Sequence, residues 1–251
     1  MIELKNLTKR YGKFTAVNAI SVAIPRGTLY GLLGPNGAGK TTTMRMIAGI
    51  LRPTSGAVTV AGFDVVTQPL QAKQRLGFIP DRPFVYDKLT GAEFLRFVAG
   101  LYGQSGPEIE KRTDELLELF ELTPWKHELT ESYSHGMRQK LIISSALVHR
   151  PEVIVVDEPM VGLDPKSTRL LKEIFRHFVD RGGTVLMSTH TLEIAEVMCD
   201  QIGIVFGGQI AAAGTMAEIR TQTSSNGSLE DIFLKLTGGL GERELSAVFG
   251  D

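Results

Sequence analysis

The segment that most constrains the fold is GPNGAGKTT, at residues 34–42. It follows an apolar run at residues 29–33 and precedes a helical pattern at residues 44–51. A G-x-x-x-x-G-K-[ST] sequence between a strand and a helix is typical of a phosphate-binding loop, whose backbone N–H groups surround phosphate oxygens. The alternative is a glycine-rich turn that carries a solvated lysine. The strand before the motif and the helix after it favour the phosphate-binding loop.

Each loop residue is expected to contact a nucleotide or to shape its site. These residues are Gly34, Pro35, Asn36, Gly37, Ala38, Gly39, Lys40, Thr41 and Thr42. Lys40 should reach the terminal phosphates, and the Thr41 hydroxyl can ligate Mg²⁺. The positive end of the following helix dipole adds to the attraction for phosphate.

A second apolar run ends in two acidic residues. Residues 153–159 read VIVVDEP, and a continuous apolar run is typical of a strand buried in a parallel sheet. Such sheets present the carboxyl ends of their strands to ligands. Asp157 is therefore expected behind Mg²⁺ or one of its waters, and Glu158 is expected to polarise a water that attacks the γ-phosphate. The alternative is that both carboxylates only cap the next helix.

Short β-type runs alternate with helical runs along the chain, which predicts an α/β fold. Strands are predicted at residues 2–4, 16–24, 29–33, 57–60, 76–79, 153–156, 184–187 and 202–206. Residues 89–149 are helical throughout, which indicates a helical subdomain, at about 85–150, inserted into the core. We expect one domain at residues 1–220 and a short C-terminal tail at 221–251, which begins with the linker-like TQTSSNGS of residues 221–228.

Composition adds few constraints. With 27 basic and 28 acidic residues, the net charge of −1 provides no general field for holding DNA or RNA, so no nucleic acid is expected. The single cysteine, Cys199, fits a reducing compartment and is expected to be a small buried residue. The first residues have no apolar segment typical of a signal peptide, and no segment is expected to span a membrane.

The stretch SYSHGMRQK, at residues 132–140, begins a predicted helix with Ser134 as N-cap. Gly136 lies in the first turn of this helix, where glycine costs about 1 kcal/mol relative to alanine. A helix start of this kind offers a hydroxyl and closely approachable N–H groups, which suits an anion.

Taken in order, GPNGAGKTT, YSHGM, VIVVDEP, GLDP and the histidine after TVLMST resemble the nucleotide-binding domain of ATP-binding cassette (ABC) proteins. The resemblance covers essentially the whole chain. It implies a phosphate-loop NTPase core with a mixed sheet, an N-terminal antiparallel β region and an inserted α-helical subdomain. It also implies ATP and Mg²⁺ as cofactors and ATP hydrolysis as the activity, with Glu158 and His190 as catalytic residues.

The same resemblance implies roles for further residues. Tyr11 matches the aromatic residue that stacks on adenine. Ser134, His135 and Gly136 match the signature loop, which contacts the γ-phosphate of ATP held by a second copy of the domain. Asp164 matches a loop that links the two sites of the dimer.

His190 matches the switch histidine near the γ-phosphate, and Asp81 occupies the position where the family usually has a Mg²⁺-sensing glutamine. With Asp157 and Glu158, Asp81 would be a third carboxylate around the metal. The alternatives are an exposed loop tyrosine for Tyr11, a solvated aspartate for Asp81 and a structural histidine for His190. The signature is also atypical, because Tyr133, His135 and Met137 replace three residues of Leu-Ser-Gly-Gly-Gln.

Two stretches, DRPFVYDKLTGAEFLRFVAGLYG at residues 81–103 and SLEDIFLKLTGG at residues 228–239, resemble ATPase subunits of bacterial export systems whose transmembrane permease is a separate chain. We therefore expect a homodimer, or a pseudo-dimer with another ABC ATPase, bound through its permease to the cytoplasmic face of the membrane. The permease is expected beside residues 81–101, near Val85 and Lys88. Two alternatives remain: a soluble ABC ATPase acting on nucleic acid or in translation, and a phosphate-loop kinase, against which Glu158 and the signature loop argue.

Overall fold

The computed structural model describes residues 1–82, 84–160 and 162–238. Its first sheet has four antiparallel strands in the order β2-β1-β4-β5. The strands are β1 (Ile2–Tyr11), β2 (Phe14–Ile24), β4 (Ser55–Val60) and β5 (Phe63–Asp64). The expected N-terminal antiparallel region is thus confirmed, although β1 is longer than predicted.

The second sheet is mixed, as expected, and has six strands in the order β10-β9-β3-β8-β7-β6. Five of them run parallel, and β10 pairs antiparallel to β9. The strands are β3 (Leu29–Leu33), β6 (Leu76–Ile79), β7 (Val153–Asp157), β8 (Thr184–Thr189), β9 (Gln201–Phe206) and β10 (Gln209–Gly214). Every residue of β3, β7 and β8 is buried, which explains the continuous apolar runs at residues 29–33 and 153–156.

Helices follow or connect these strands. They are α1 (Lys40–Ile47), α2 (Pro69–Gln74), α3 (Gly91–Leu101), α4 (Pro107–Leu119), α5 (His135–Leu147), α6 (Pro165–Asp180), α7 (Leu192–Met198), α8 (Met216–Thr223) and α9 (Leu229–Thr237). Thr90 begins α3 with a capping box to Glu93. Ser134 caps α5 as predicted, because its side chain accepts a hydrogen bond from the Met137 N–H at 3.3 Å.

The helical region shares its hydrophobic core with the parallel sheet. Phe94 and Leu95 of α3 and Ile142 of α5 belong to the same buried cluster as Val156 of β7 and Phe175 of α6. A second cluster fills the space between the two sheets. Since α5 packs directly against the sheet, the signature loop at its start is held at a fixed place relative to the strand ends.

The C-terminal prediction needs correction. Residues 221–223 belong to α8, whose Thr215–Glu218 capping box begins the helix before the linker-like stretch. The expected domain boundary at residue 220 therefore falls inside a helix. Leu229 and Ile232 of α9 are fully buried in a cluster with Ile202 and Ile204 of β9, and residues 239–251 of the expected tail lie outside the described residues.

Within the described residues, none of the helices combines the length and the apolar character that crossing a bilayer requires.

Candidate nucleotide-binding and hydrolysis site

The phosphate-binding loop lies between the carboxyl end of β3 and the start of α1. Gly39 has φ +105, and a Cβ atom built there would lie 2.5 Å from the Ala16 carbonyl oxygen, so the backbone admits only glycine. Lys40 Nζ donates hydrogen bonds to the carbonyl oxygens of Gly34 at 2.7 Å and Pro35 at 3.2 Å. These bonds hold the ammonium group against the loop.

The Lys40 ammonium is largely buried, and burial lowers its pKa. Glu158 and Asp157 act in the opposite direction, since their negative charges stabilise the protonated amine. Lys40 therefore supplies a positive charge that is fixed to the loop, and this charge would attract a phosphate group.

An open cleft of about 400 Å³ lies over the loop. Its lining residues are Tyr11, Phe14, Ala16, Asn36, Gly37, Gly39, Lys40, Thr41, Thr42, Asp81 and Glu158. The structure thus brings together Tyr11, most of the loop, Asp81 and Glu158 from segments far apart in the sequence. Gly34, Pro35 and Ala38 belong to the loop but do not line this cleft.

Two aromatic side chains lie in the cleft. Tyr11 and Phe14 flank the turn between β1 and β2 and are 50% and 62% exposed. The Lys9 ammonium lies 5.3 Å from the centroid of the Tyr11 ring and donates to the Arg52 carbonyl at 2.8 Å. Sequence reasoning missed Phe14, although an apolar aromatic residue in a polar turn three positions after Tyr11 was a usable signal.

The two carboxylates of the VIVVDEP segment have different surroundings. Asp157 ends β7 and is 1% exposed, and it accepts a hydrogen bond from the Ser188 hydroxyl. Glu158 follows in the left-handed region, with φ +52, and its side chain reaches the cleft. Glu158 Oε2 lies 2.9 Å from His190 Nδ1, so the structure joins the two residues expected to be catalytic.

Thr41 lines the cleft, and Asp157, buried at the end of β7, keeps one carboxylate oxygen that no hydrogen bond of the described residues uses, so these two residues fit a magnesium ion. Mg²⁺ in such sites takes one or two protein oxygens and completes its shell with waters and phosphate oxygens, which Thr41 and Asp157 allow. Within residues 1–82, 84–160 and 162–238, no three His, Cys, Asp or Glu side chains are close enough to hold one ion. Asp81 instead lies 3.9 Å from Arg45, so the expected trio of carboxylates around one metal is not gathered.

The signature residues lie on a separate surface. Ser134 and His135 are exposed at the start of α5, and neither they nor Gly136 and Asp164 line the cleft. The His135 ring packs on Gly162, where an added Cβ would lie 2.5 Å from two ring atoms. Asp164 caps α6 by accepting from the Ser167 N–H at 2.9 Å. One chain therefore separates the phosphate loop from the signature loop.

Comparison with known proteins identifies the family. A model described as "ABC transporter" matches residues 17–161, more than half of the chain, and a second model, described as an AAA domain, matches residues 127–196. The linearmycin resistance ATP-binding protein LnrL of Bacillus subtilis (strain 168) is 37% identical over 249 residues, which cover 99% of this chain and 78% of that protein.

Two solved structures support the same assignment. One, described as the ATP-binding subunit of an ABC transporter, superposes with a TM-score of 0.89 at 34% identity and covers 94% of this chain and 99% of its own. The other, the dimeric bacterial ABC transporter cassette MJ0796, has a TM-score of 0.78 at 25% identity and covers 86% and 99%. The chain therefore belongs to the ABC transporter family, as an ATP-binding subunit with the fold of an ABC ATPase.

Proposed function

We propose that this chain is the ATPase subunit of an ABC exporter and that it drives a separate transmembrane permease by closing with a second ATPase subunit around ATP. The observation that carries the proposal is the division of one site between two surfaces. The phosphate loop and Glu158 line the cleft, and His190 contacts Glu158. Ser134 and Gly136 do not line the cleft. A second copy can supply the signature loop to this cleft.

Nucleotide binding would use the two ends of the cleft. Tyr11 would stack on the adenine ring, with Phe14 beside it, and the loop N–H groups and Lys40 would hold the phosphates. Mg²⁺, ligated by Thr41 and approached by Asp157, would supply charge neutralisation at the β- and γ-phosphates. The lining of the cleft and the positive charge of Lys40 support these roles.

Hydrolysis would depend on the Glu158–His190 pair. The Glu158 carboxylate would accept a proton from a water while the water oxygen bonds to the γ-phosphorus and the bond to the β–γ bridging oxygen breaks. His190 Nδ1, at 2.9 Å from Glu158 Oε2, would orient the carboxylate, and the exposed imidazole would be accessible to the γ-phosphate. The negative charge on the leaving oxygen would face Lys40.

An exposed aromatic surface supports a permease partner. Phe84, Tyr86, Phe97 and Leu101 are between 42% and 73% exposed, and the Tyr86 ring contacts those of Phe84 and Phe97 edge-on at 5.8 and 5.3 Å. A contiguous apolar surface of this kind marks a site of protein association. It lies within the stretch 81–101 where the permease is expected, although Val85 itself is buried in the core.

This surface is connected to the signature loop by polar contacts. Arg138 of α5 pairs with Asp87 at 3.4 Å, and the Thr130 hydroxyl donates to the Tyr86 carbonyl at 2.9 Å. Lys88 Nζ donates to Glu131 at 2.6 Å. Movement of a permease segment on the aromatic surface would therefore reach Ser134 through residues 86–88 and 130–131. We assign the direction as export because a similar protein is named for linearmycin resistance. The chain would work at the cytoplasmic face of the membrane.

Sedimentation tests the shared site. Glu158→Gln should be monomeric without nucleotide and dimeric with ATP and Mg²⁺, because blocked hydrolysis preserves the closed state. Ser134→Arg in the same background should stay monomeric while still binding ATP at the phosphate loop. Ser105→Arg, on an exposed loop elsewhere, is the matched control and should dimerise. A Glu158→Gln protein that stays monomeric with saturating ATP would rule out the shared site.

A further inference from the structure

One buried hydroxyl connects the two acidic residues of the site. Ser188 lies near the end of β8, is 0% exposed, and pairs with Asp157 in the parallel register of β7 and β8. Its Oγ donates a hydrogen bond to Asp157 Oδ1 and accepts one from the Glu158 N–H at 3.0 Å. A single side chain therefore contacts both the carboxylate expected at the metal and the backbone of the residue expected to activate water.

The contact to Asp157 determines how that carboxylate is presented. A buried carboxylate requires hydrogen-bond partners, because burial without them is costly. Among the hydrogen bonds of the described residues, Ser188 satisfies Oδ1 and none reaches Oδ2. One oxygen is thus hydrogen-bonded to β8, and this bond restricts the rotation of the carboxylate about its bond to Cβ. The other oxygen remains for a metal-bound water or for the metal.

The contact to Glu158 stabilises an unfavourable backbone conformation. Glu158 has φ +52, in the left-handed region that is unfavourable for a residue with a Cβ atom. Its N–H is directed at Ser188, with the hydroxyl oxygen at 3.0 Å and the carbonyl oxygen at 3.3 Å. Because of this turn, the backbone leaves the direction of β7 at Glu158, and the Glu158 side chain points toward His190.

We propose that Ser188 is a positioning residue that aligns the Asp157 carboxylate for Mg²⁺ and the Glu158 turn for hydrolysis through one hydroxyl group. The proposal rests on the proposed roles of Asp157 and Glu158. Alanine would leave a buried carboxylate oxygen and a buried N–H without this partner, whereas the backbone of β8 would keep its ladder bonds. Residues that orient metal ligands in this way typically contribute roughly 10- to 100-fold to metal affinity or activity.

The test compares Ser188→Ala with a matched loss of a buried hydroxyl on the same strand. Thr184 is also 0% exposed, and its hydroxyl donates to the Pro25 carbonyl at 3.2 Å at the other end of β8. Thr184→Val is therefore the control. Two quantities are measured for each protein. The first is the Mg²⁺ increment, defined as the melting temperature with ATP and Mg²⁺ minus the melting temperature with ATP and EDTA. The second is the Mg²⁺ concentration that gives half-maximal ATPase activity.

Ser188→Ala should keep the stabilisation by ATP in EDTA and lose most of the Mg²⁺ increment. Its half-maximal Mg²⁺ concentration should rise about 10-fold or more, with a lower kcat and a small change in KM for ATP. Thr184→Val should lose stability but keep the wild-type Mg²⁺ titration. Ser188→Cys, which is close in size and has a weaker donor, should show an intermediate shift and serves if the alanine variant does not fold.

A wild-type Mg²⁺ increment and titration in Ser188→Ala or Ser188→Cys would overturn the proposal, as would an equal shift in Thr184→Val. Failure of the proposed function gives a different result. In that case the wild-type protein itself lacks Mg²⁺-dependent ATPase activity, while the Mg²⁺ increment of the melting temperature still decides the role of Ser188 by binding alone.

Discussion

Replacing Glu158 by glutamine changes the chemistry of the site with little change in its shape. The side chain is 19% exposed, and glutamine has nearly the same volume. Its amide oxygen can still accept a hydrogen bond from His190 Nδ1, and the backbone contacts to Ser188 do not involve the side chain. The substitution therefore removes the proton acceptor and one negative charge, and preserves the packing.

The expected loss is the contribution of a general base. Such a group typically provides 10²- to 10⁴-fold in rate, so the barrier should rise by about 3–5 kcal/mol at 1.36 kcal/mol per tenfold. ATP affinity should be equal to or higher than that of the wild type, because Glu158 is one of the negative charges that act on the Lys40 region. The effect should therefore appear in kcat and leave binding intact.

Single-turnover hydrolysis of radiolabelled ATP, with enzyme in excess, measures the chemical step without product release. Nucleotide binding is measured separately by equilibrium dialysis. Glu173→Gln, an exposed glutamate on α6 that pairs with Arg169 at 3.1 Å, is the matched control and should hydrolyse ATP at the wild-type rate. His190→Ala should slow the step in the wild-type background and add little in the Glu158→Gln background, because both changes disable the same pair.

A single-turnover rate in Glu158→Gln within about threefold of the wild type would refute the reasoning, since a general base contributes far more than that. A large loss of ATP affinity in Glu158→Gln would also refute the role of Glu158 as a general base. That result would mean that the Glu158 side chain holds the phosphate loop in place, in which case its role is structural.

Two further predictions concern the edge of the site and the partner. Asp81 does not join the other two carboxylates around one metal, but it lines the cleft with Thr41 and would act on Mg²⁺ through a water. Asp81→Asn should therefore weaken the Mg²⁺ dependence of hydrolysis more than ATP binding, and Asp81→Gln should be tolerated. An unchanged Mg²⁺ titration and permease-coupled rate in Asp81→Ala would mean that Asp81 makes only its exposed pair with Arg45, worth about 0–1 kcal/mol. A crosslinker on Lys88→Cys, whose native side chain is 80% exposed, should reach the permease in the assembled transporter. Lys111→Cys of α4 is the control: the native Lys111 side chain is 81% exposed, but a crosslinker there should not reach the permease. Labelling of the permease from Lys111→Cys alone would place the partner elsewhere.

Local sequence patterns were sufficient for several elements of the site. The turn at Gly39 depends on a backbone conformation and a close approach of the chain that only glycine permits, so the loop motif predicts it. The helix after the loop was predicted at residues 44–51, but α1 begins four residues earlier, at Lys40. The Ser134 cap of α5 is also local, because a side chain and an N–H three residues apart decide it. The apolar run before Asp157 required burial on both faces, and the parallel sheet provides it.

Contacts between segments that are distant in the sequence were not predictable from local sequence patterns. The Asp81–Arg45 pair depends on where the loop after β6 crosses α1, and the burial of Val85 depends on how α3 packs on the shared core. Helix α8 begins before the linker-like residues because a capping box at Thr215 and the burial of Ile219 outweigh the weak helix propensity of the threonines and serines that follow.

The sequence by itself determined which residue types this protein has available for phosphate, metal and water: a loop lysine and threonine, two adjacent carboxylates and a histidine after a later strand. Only the tertiary structure decided that Ser188 connects Asp157 to Glu158. That contact depends on the register between β7 and β8, which pairs Ser188 with Asp157, 31 residues earlier in the sequence. Side-chain chemistry is encoded locally, whereas hydrogen bonds across a parallel sheet exist only after the strands between and around them have packed.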